Sequence, residues 1–174
     1  MRKKSSRGYT LVELIVSVGI FALVMLLASG AYLMMISLNQ HAQSIATGID
    51  NLSFAVETMT RTIRTGNNYN CGNIGDCPNG ASSFSFKSAS GVATTYSLAG
   101  SSIQETTGSS AQMLTDPSVS ISSLLFYASG TGKPPADYQQ PHVTIIISGT
   151  VSYGAGKTEP FTVETGATMR GSDI

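Results

Sequence analysis

Gly8-Tyr9-Thr10-Leu11-Val12-Glu13, followed by an apolar run over residues 14–36, is the stretch that decides the fold. The run holds about 23 residues, and a helix of that length is about 35 Å long at about 1.5 Å of rise per residue. Because the hydrocarbon core of a bilayer is about 30 Å thick, we expect the run to span a membrane. A secretory signal peptide has a shorter apolar region followed by a small-residue cleavage site, whereas here Gly8 precedes the run.

Glu13 is the unusual residue of this stretch, because a carboxylate at the membrane edge or deeper costs up to a few kcal/mol unless it has a partner. No Lys, Arg or His lies between Tyr9 and Leu38. The partner is therefore a lipid headgroup, another chain, or a new cation made from this chain. Cleavage after Gly8 would make such a cation, the free amine of Tyr9. That amine can meet Glu13 of its own helix or of a neighbouring chain, and we favour the neighbour.

The segment Gly8-Tyr9-Thr10-Leu11-Val12-Glu13-Leu14 resembles the class III prepilin signal of type IV pilins and type II secretion pseudopilins. The resemblance implies cleavage after Gly8 by a prepilin peptidase, N-methylation of Tyr9, and pairing of Glu13 with the first residue's amine in the adjacent subunit. Most members have Phe where this chain has Tyr9, and the retained ring leads us to expect cleavage. Many major pilins have a proline at the depth of Gly30. The alternative is an ordinary single-pass anchor with a coincidental acid.

Composition favours one anchor and one globular domain in the 174 residues, of which only 11% are charged. The predicted leader, residues 1–8, contains four of the ten Lys and Arg, so its removal leaves six against ten Asp and Glu, a net charge of −4. The remaining basic residues are scattered in the sequence, which argues against direct nucleic acid binding. They are Arg61, Arg64, Lys87, Lys133, Lys157 and Arg170.

The basic leader also predicts orientation, because Lys and Arg accumulate on the cytoplasmic side of a span. The N-terminus is then inside and the rest of the chain outside the inner membrane. Cys71 and Cys77 would meet oxidising conditions there, and their short separation suits a small disulfide loop. The alternative is a pair of free thiols. A zinc site is less favoured, since His41 and His142 lie far away in sequence.

A second helical half is predicted over residues 38–66, after a transmembrane and filament-core half over residues 9–37. Its apolar stripe recurs at gaps of four and three, which suits either packing on a sheet or a coiled-coil seam, and we favour the sheet. Gly66, Asn67 and Asn68 end the helix. The stripe consists of Leu38, Ala42, Ile45, Ile49, Leu52, Val56, Met59 and Ile63.

Residues 67–174 are predicted to form an antiparallel β domain. Residues 69–82 are read as a loop, and a period of two then predicts three strands around Phe84, over 92–98 and over 103–106, with a hairpin turn at Ala99-Gly100. Further strands are expected over 119–127, with a bulge after Ser122, over 142–153 and over 161–169. A loop at 130–141 and a turn at 154–159 connect them. The fold class is α+β, a long helix packed on an antiparallel sheet, as in the pilin fold.

No catalytic or cofactor site is expected, because the chain lacks a nucleophile elbow, a phosphate loop or a paired-His helix. Calcium binding by Asp116, Asp137 or Asp173 is not favoured either, since no dense acidic spacing supports it. The predicted function is that of a filament subunit of a pilus or secretion pseudopilus, and the order of elements resembles J-class minor pseudopilins or W-class minor pilins. The resemblance implies other pilins, a prepilin peptidase, an inner-membrane assembly platform and membrane lipid as partners. The alternative is an adhesin or DNA-uptake pilin whose outer domain binds a ligand.

Overall fold

The computed structural model describes residues 8–72, 75–133, 135, 137–154 and 156–171. Leader residues 1–7, Pro134 and Asp173 lie outside this part of the chain. In the described part, one helix precedes eight strands. The elements are α1 (Leu11–Thr65), β1 (Asn67–Cys71), β2 (Ser83–Lys87), β3 (Ala93–Ala99), β4 (Ser102–Thr107), β5 (Ser110–Met113), β6 (Val119–Ser129), β7 (His142–Gly154) and β8 (Lys157–Thr168).

The chain divides into two compact units, Met1–Ala42 and Gln43–Ile174. In the first unit, the described residues 8–40 are all exposed, as expected for an apolar helix that has no protein partner of its own. The predicted divisions of the chain after residues 8, 37 and 66 remain predictions.

In the second unit, α1 buries one face that includes Leu52, Met59 and Ile63 of the predicted stripe but differs from the stripe at other positions. Leu38, in the first unit, and Ile49 are 57% and 54% exposed, so their predicted burial is wrong. The small residues Gly48 and Ala55 explain the difference, because they allow the strands to approach α1 closely at these positions. The buried positions, at spacings of four, three, four and four, are Gly48, Leu52, Ala55, Met59 and Ile63.

The helix ends at Thr65, as predicted, and the Gly66 N–H donates to the Ile63 carbonyl at 3.0 Å. Asn68 takes a positive φ of 54°, a conformation that Asn tolerates better than most residues. The prediction of a loop from residue 69 is wrong, since Asn67–Cys71 is strand β1, paired antiparallel with β2. Its inward side chains, Tyr69 and Cys71, are buried, and this short alternation was missed beside the Gly-rich segment that follows.

The strands form two antiparallel sheets, in the orders β1-β2-β3-β4-β5 and β6-β7-β8. The α+β architecture is therefore confirmed, although two sheets replace the single sheet that was predicted. The bridge between Ala81 and Phe126 joins the two sheets. Phe84 and Phe126 stack across the same region with their ring centroids 5.6 Å apart. The hairpin between β3 and β4 is also confirmed, although Ala99 pairs with Ser102 and the turn therefore lies at Gly100-Ser101, one residue later than predicted.

Strand β5 was missed because its four residues are all exposed and show no apolar alternation. The predicted bulge in β6 is present, since the pairing with β7 shifts between Ile121 and Ser123. The turn predicted over 154–159 is shorter than expected, because β8 already begins at Lys157. The described residues of the 130–141 segment contain no strand, in agreement with the predicted loop.

Candidate processing and assembly site

Thr10 caps the start of α1, directly beside the predicted cleavage position. Its side-chain oxygen accepts a hydrogen bond from the Glu13 N–H at 3.2 Å, and its carbonyl accepts one from the Leu14 N–H at 3.2 Å. Thr-x-x-Glu is the pattern of a capping box, in which the acid occupies the third helical position. Glu13 therefore also stabilises its own helix, because a negative charge is favoured in the first turn. This second role was not predicted, although the Thr-x-x-Glu spacing signals it.

Gly8 and Tyr9 precede the helix, and both are exposed. Tyr9 is 85% exposed, and no described atom lies within 4 Å of the Cβ that a side chain would place at Gly8. The peptide bond between them is therefore accessible and outside the helical hydrogen bonds. Such a bond can enter an enzyme's active site without unfolding α1.

The surface of α1 in the first unit is apolar and uncovered. The most apolar segment of this helix has a mean hydropathy of 2.7, and none of that segment is buried. By length and composition, α1 is therefore a candidate membrane span, although a signal sequence near the N-terminus meets the same criteria of length and composition. Leu26 and Met35, for example, are 74% and 72% exposed. Each such side chain gains roughly 1.5–3 kcal/mol on leaving water. This surface is therefore suited to contact with lipid or with other apolar helices.

Residues 3–29 match the family model of the prokaryotic N-terminal methylation motif. The chain carries a class III prepilin signal. The matched residues include Gly8, Tyr9 and Glu13, and the match supports a precursor of the type IV pilin and pseudopilin kind. Proteins with this prepilin signal are structural rather than enzymatic, are generally processed by a prepilin peptidase and assemble with other pilins. Their long apolar helix fits an anchor in the inner membrane.

The match does not extend to the β domain of this prepilin-like chain, and the J or W class is not confirmed. No curated protein and no solved structure matches the chain.

Cys71 and Cys77 form a disulfide, with their Cα atoms 5.7 Å apart, so the predicted bond is present. Cys71 ends β1 and is buried, while the Cys77 N–H donates to the Ala128 carbonyl on β6 at 3.0 Å. The bond therefore closes a small loop whose two ends lie against different sheets.

Asp76 holds this disulfide loop to the segment that follows β6. Its carboxylate accepts hydrogen bonds from the Thr131 hydroxyl at 2.6 Å, the Thr131 N–H at 2.8 Å and the Gly130 N–H at 3.3 Å. The Thr131 hydroxyl, more than any other group, lowers the pKa of Asp76 below its ordinary value of 3.8. Sequence analysis did not find this contact, because 55 residues separate the partners.

Three of the residues considered for metal binding make hydrogen bonds within the protein. The Asp116 carboxylate accepts the Ser118 N–H at 2.9 Å, and the Asp137 carboxylate accepts the Gln139 N–H at 2.8 Å. His142 contacts the Thr168 hydroxyl at 3.0 Å through Nδ1. Within the described residues, no three His, Cys, Asp or Glu side chains lie together as metal ligands would.

Proposed function

We propose that the chain is a subunit, and a minor one, of a type IV pilus or a type II secretion pseudopilus. A prepilin peptidase cuts between Gly8 and Tyr9 and the new first residue is N-methylated. The subunit then leaves the inner membrane and packs helix against helix in a filament. The observation that carries the proposal is an uncovered apolar helix that is capped by Thr10, has Glu13 in its first turn, and lies in a matched methylation motif.

The apolar helix suits both environments that this function requires. Lipid tails are about as apolar as leucine side chains, so the exchange of lipid for neighbouring helices is driven by packing and by the pairing of polar groups. Glu13 is the one ionisable side chain from residue 10 to residue 40 apart from Tyr32. Its charge pairs with the Tyr9 amine of the adjacent subunit and sets the register of the helices, the role best attested for a buried polar group.

Cleavage of the Gly8–Tyr9 bond is tested by Gly8→Ala, with Gly19→Ala as the matched control. The Cβ added at either position meets no described atom within 4 Å, so neither change disturbs packing in the folded chain. We expect Gly8→Ala to leave the chain uncut and absent from sheared surface fibres. Gly19→Ala is expected to be cut as the unaltered chain is. The measurement is the mass of the chain in membranes and in fibres of the native cell.

Equal processing of both variants would contradict the assignment of Gly8 to the cleavage site. Normal assembly of an uncut Gly8→Ala chain would contradict the link between cleavage and assembly.

A further inference from the structure

Three arginines that are scattered in the sequence line one surface pocket of the second unit. Arg61 and Arg64, in the last turns of α1, lie with Arg170 around a space of about 290 Å³. The backbone N–H of Arg170 donates to the Arg64 carbonyl at 2.8 Å, which brings the end of the β domain to the end of the helix. We call this site the arginine pocket; its other lining residues are Glu57, Thr60 and Thr65.

The arginine side chains are not needed to cap the helix. The last carbonyls of a helix require donors, and cations near a helix C-terminus commonly serve that need. Here the Ile63 carbonyl accepts from the Gly66 N–H and the Tyr69 hydroxyl, and the Arg64 carbonyl accepts from the Arg170 N–H. The Thr62 carbonyl accepts from the Thr65 hydroxyl at 3.1 Å. Backbone and hydroxyl donors thus cap this end, so the capping of the described helix does not occupy the guanidinium groups.

The charge of the arginine pocket is unbalanced. Among the described residues that line the pocket, Glu57 is the single carboxylate, against three guanidinium groups, and all three arginines are exposed. The guanidinium fork matches carboxylate and phosphate groups with paired hydrogen bonds. The arginine pocket is therefore suited to bind an oxyanion.

The rest of the unit favours a protein carboxylate over a nucleic acid. Gln43–Ile174 contains six Lys and Arg against nine Asp and Glu, a net charge of −3, which repels a polyanion at long range. Binding along a phosphate backbone requires a stripe of cations, whereas half of this unit's cations are confined to one small pocket. A short-range contact with one or two carboxylates is compatible with the negative net charge of the unit and with the small size of the pocket.

We propose that the arginine pocket binds acidic side chains of an adjacent filament subunit. This inference rests on the proposed function and adds to it a second contact between subunits, outside the apolar helix. Because a carboxylate and an arginine pocket are different patches, such a contact is head-to-tail and is of the kind that extends a filament.

The test compares Arg64→Glu and Arg170→Glu with the control Lys157→Glu in the full-length chain. All three variants make the same change in net charge at an exposed residue, and Lys157 lies at the start of β8, outside the arginine pocket. We expect both arginine variants to be cut after Gly8 normally and to enter fibres about tenfold less than the unaltered chain. The control is expected to stay within about twofold. Circular dichroism of each purified chain checks that it remains folded.

A second measurement identifies the partner. Arg170→Lys keeps the charge and adds an amine that a carbodiimide couples to a nearby carboxylate. We expect coupling of position 170, in isolated fibres, to an Asp or Glu peptide of another subunit. Coupling to Glu57 of the same chain alone would contradict the proposal.

Each remaining outcome is decisive. Normal incorporation of both arginine variants would overturn the inference while leaving the proposed function intact, since the unaltered chain would still be found in fibres. Absence of the unaltered chain from all fibres would remove the proposed function and this inference together. Normal incorporation combined with lost binding to heparin or to double-stranded DNA would show that the pocket binds a polyanion instead.

Discussion

Replacing Glu13 by Gln separates the role that this residue has at the start of α1 from its proposed pairing with the amine of a neighbouring subunit. Gln also suits the third helical position of a capping box, so the start of α1 is preserved while the negative charge is removed. In the proposed filament, the Tyr9 amine of the neighbour would then lie unpaired among apolar helices. Removing one partner of a buried ion pair costs about 3–5 kcal/mol. Each 1.4 kcal/mol is a factor of about ten, so we expect incorporation to fall more than about a hundredfold.

Thr10→Ala is the matched control, because it removes the cap and leaves the carboxylate. It eliminates the 3.2 Å hydrogen bond between the Thr10 hydroxyl oxygen and the Glu13 N–H. Losing such a cap costs about 1 kcal/mol, which corresponds to a decrease in incorporation of about fivefold.

The assay is the ratio of each variant in sheared fibres to the same variant in the membrane fraction, measured by quantitative mass spectrometry in the native cell. Both variants should be cut after Gly8. If Glu13→Gln entered fibres as the unaltered chain does, the pairing argument would be wrong. If Thr10→Ala were as defective as Glu13→Gln, helix capping rather than charge pairing would explain the acid.

Two further predictions concern the outer unit. An alanine at Gly48 would place its Cβ in steric overlap with a Val151 methyl carbon, so Gly48→Ala should destabilise the chain by about 1–3 kcal/mol. A gain of about 1 kcal/mol in helix propensity offsets part of this loss. Adding Val151→Ala should recover part of that loss. The measurement is the free energy of unfolding in urea of the detergent-solubilised chain, and additive effects of the two substitutions would contradict a contact between the two residues. Asp76→Asn should cost at most about 1 kcal/mol at neutral pH, because the site is exposed. The folded-state pKa of Asp76 is depressed, so its contribution is present above 3.8 and is lost as the pH falls through the lower folded value. A difference between Asp76→Asn and the unaltered chain that grew at acid pH would contradict this assignment.

The parts of the fold that local patterns determine could be predicted from the sequence. The long apolar helix and its end before Gly66 follow from hydropathy and from turn-forming residues. The β3–β4 hairpin and the bulge in β6 follow from alternation broken at particular positions. The prediction of a processing site rests on the acid, the small residue before it and the apolar run, since all three lie within one short stretch.

The parts that depend on contacts between distant residues could not be predicted. The buried face of α1 is set by the fit of Gly48 to Val151, which lie about 100 residues apart in the chain. The division of the strands into two sheets depends on how β6 pairs. The arginine pocket forms because Arg170 reaches the end of α1, although the sequence analysis described these cations as scattered.

The most direct test of the account is the intact mass of this chain recovered from surface fibres or pseudopilus preparations of the native cell. The account predicts a chain that begins at Tyr9, lacks residues 1–8 and carries one added methyl group on its N-terminal amine. A chain that retains residues 1–8 and never occurs in a fibre would contradict it.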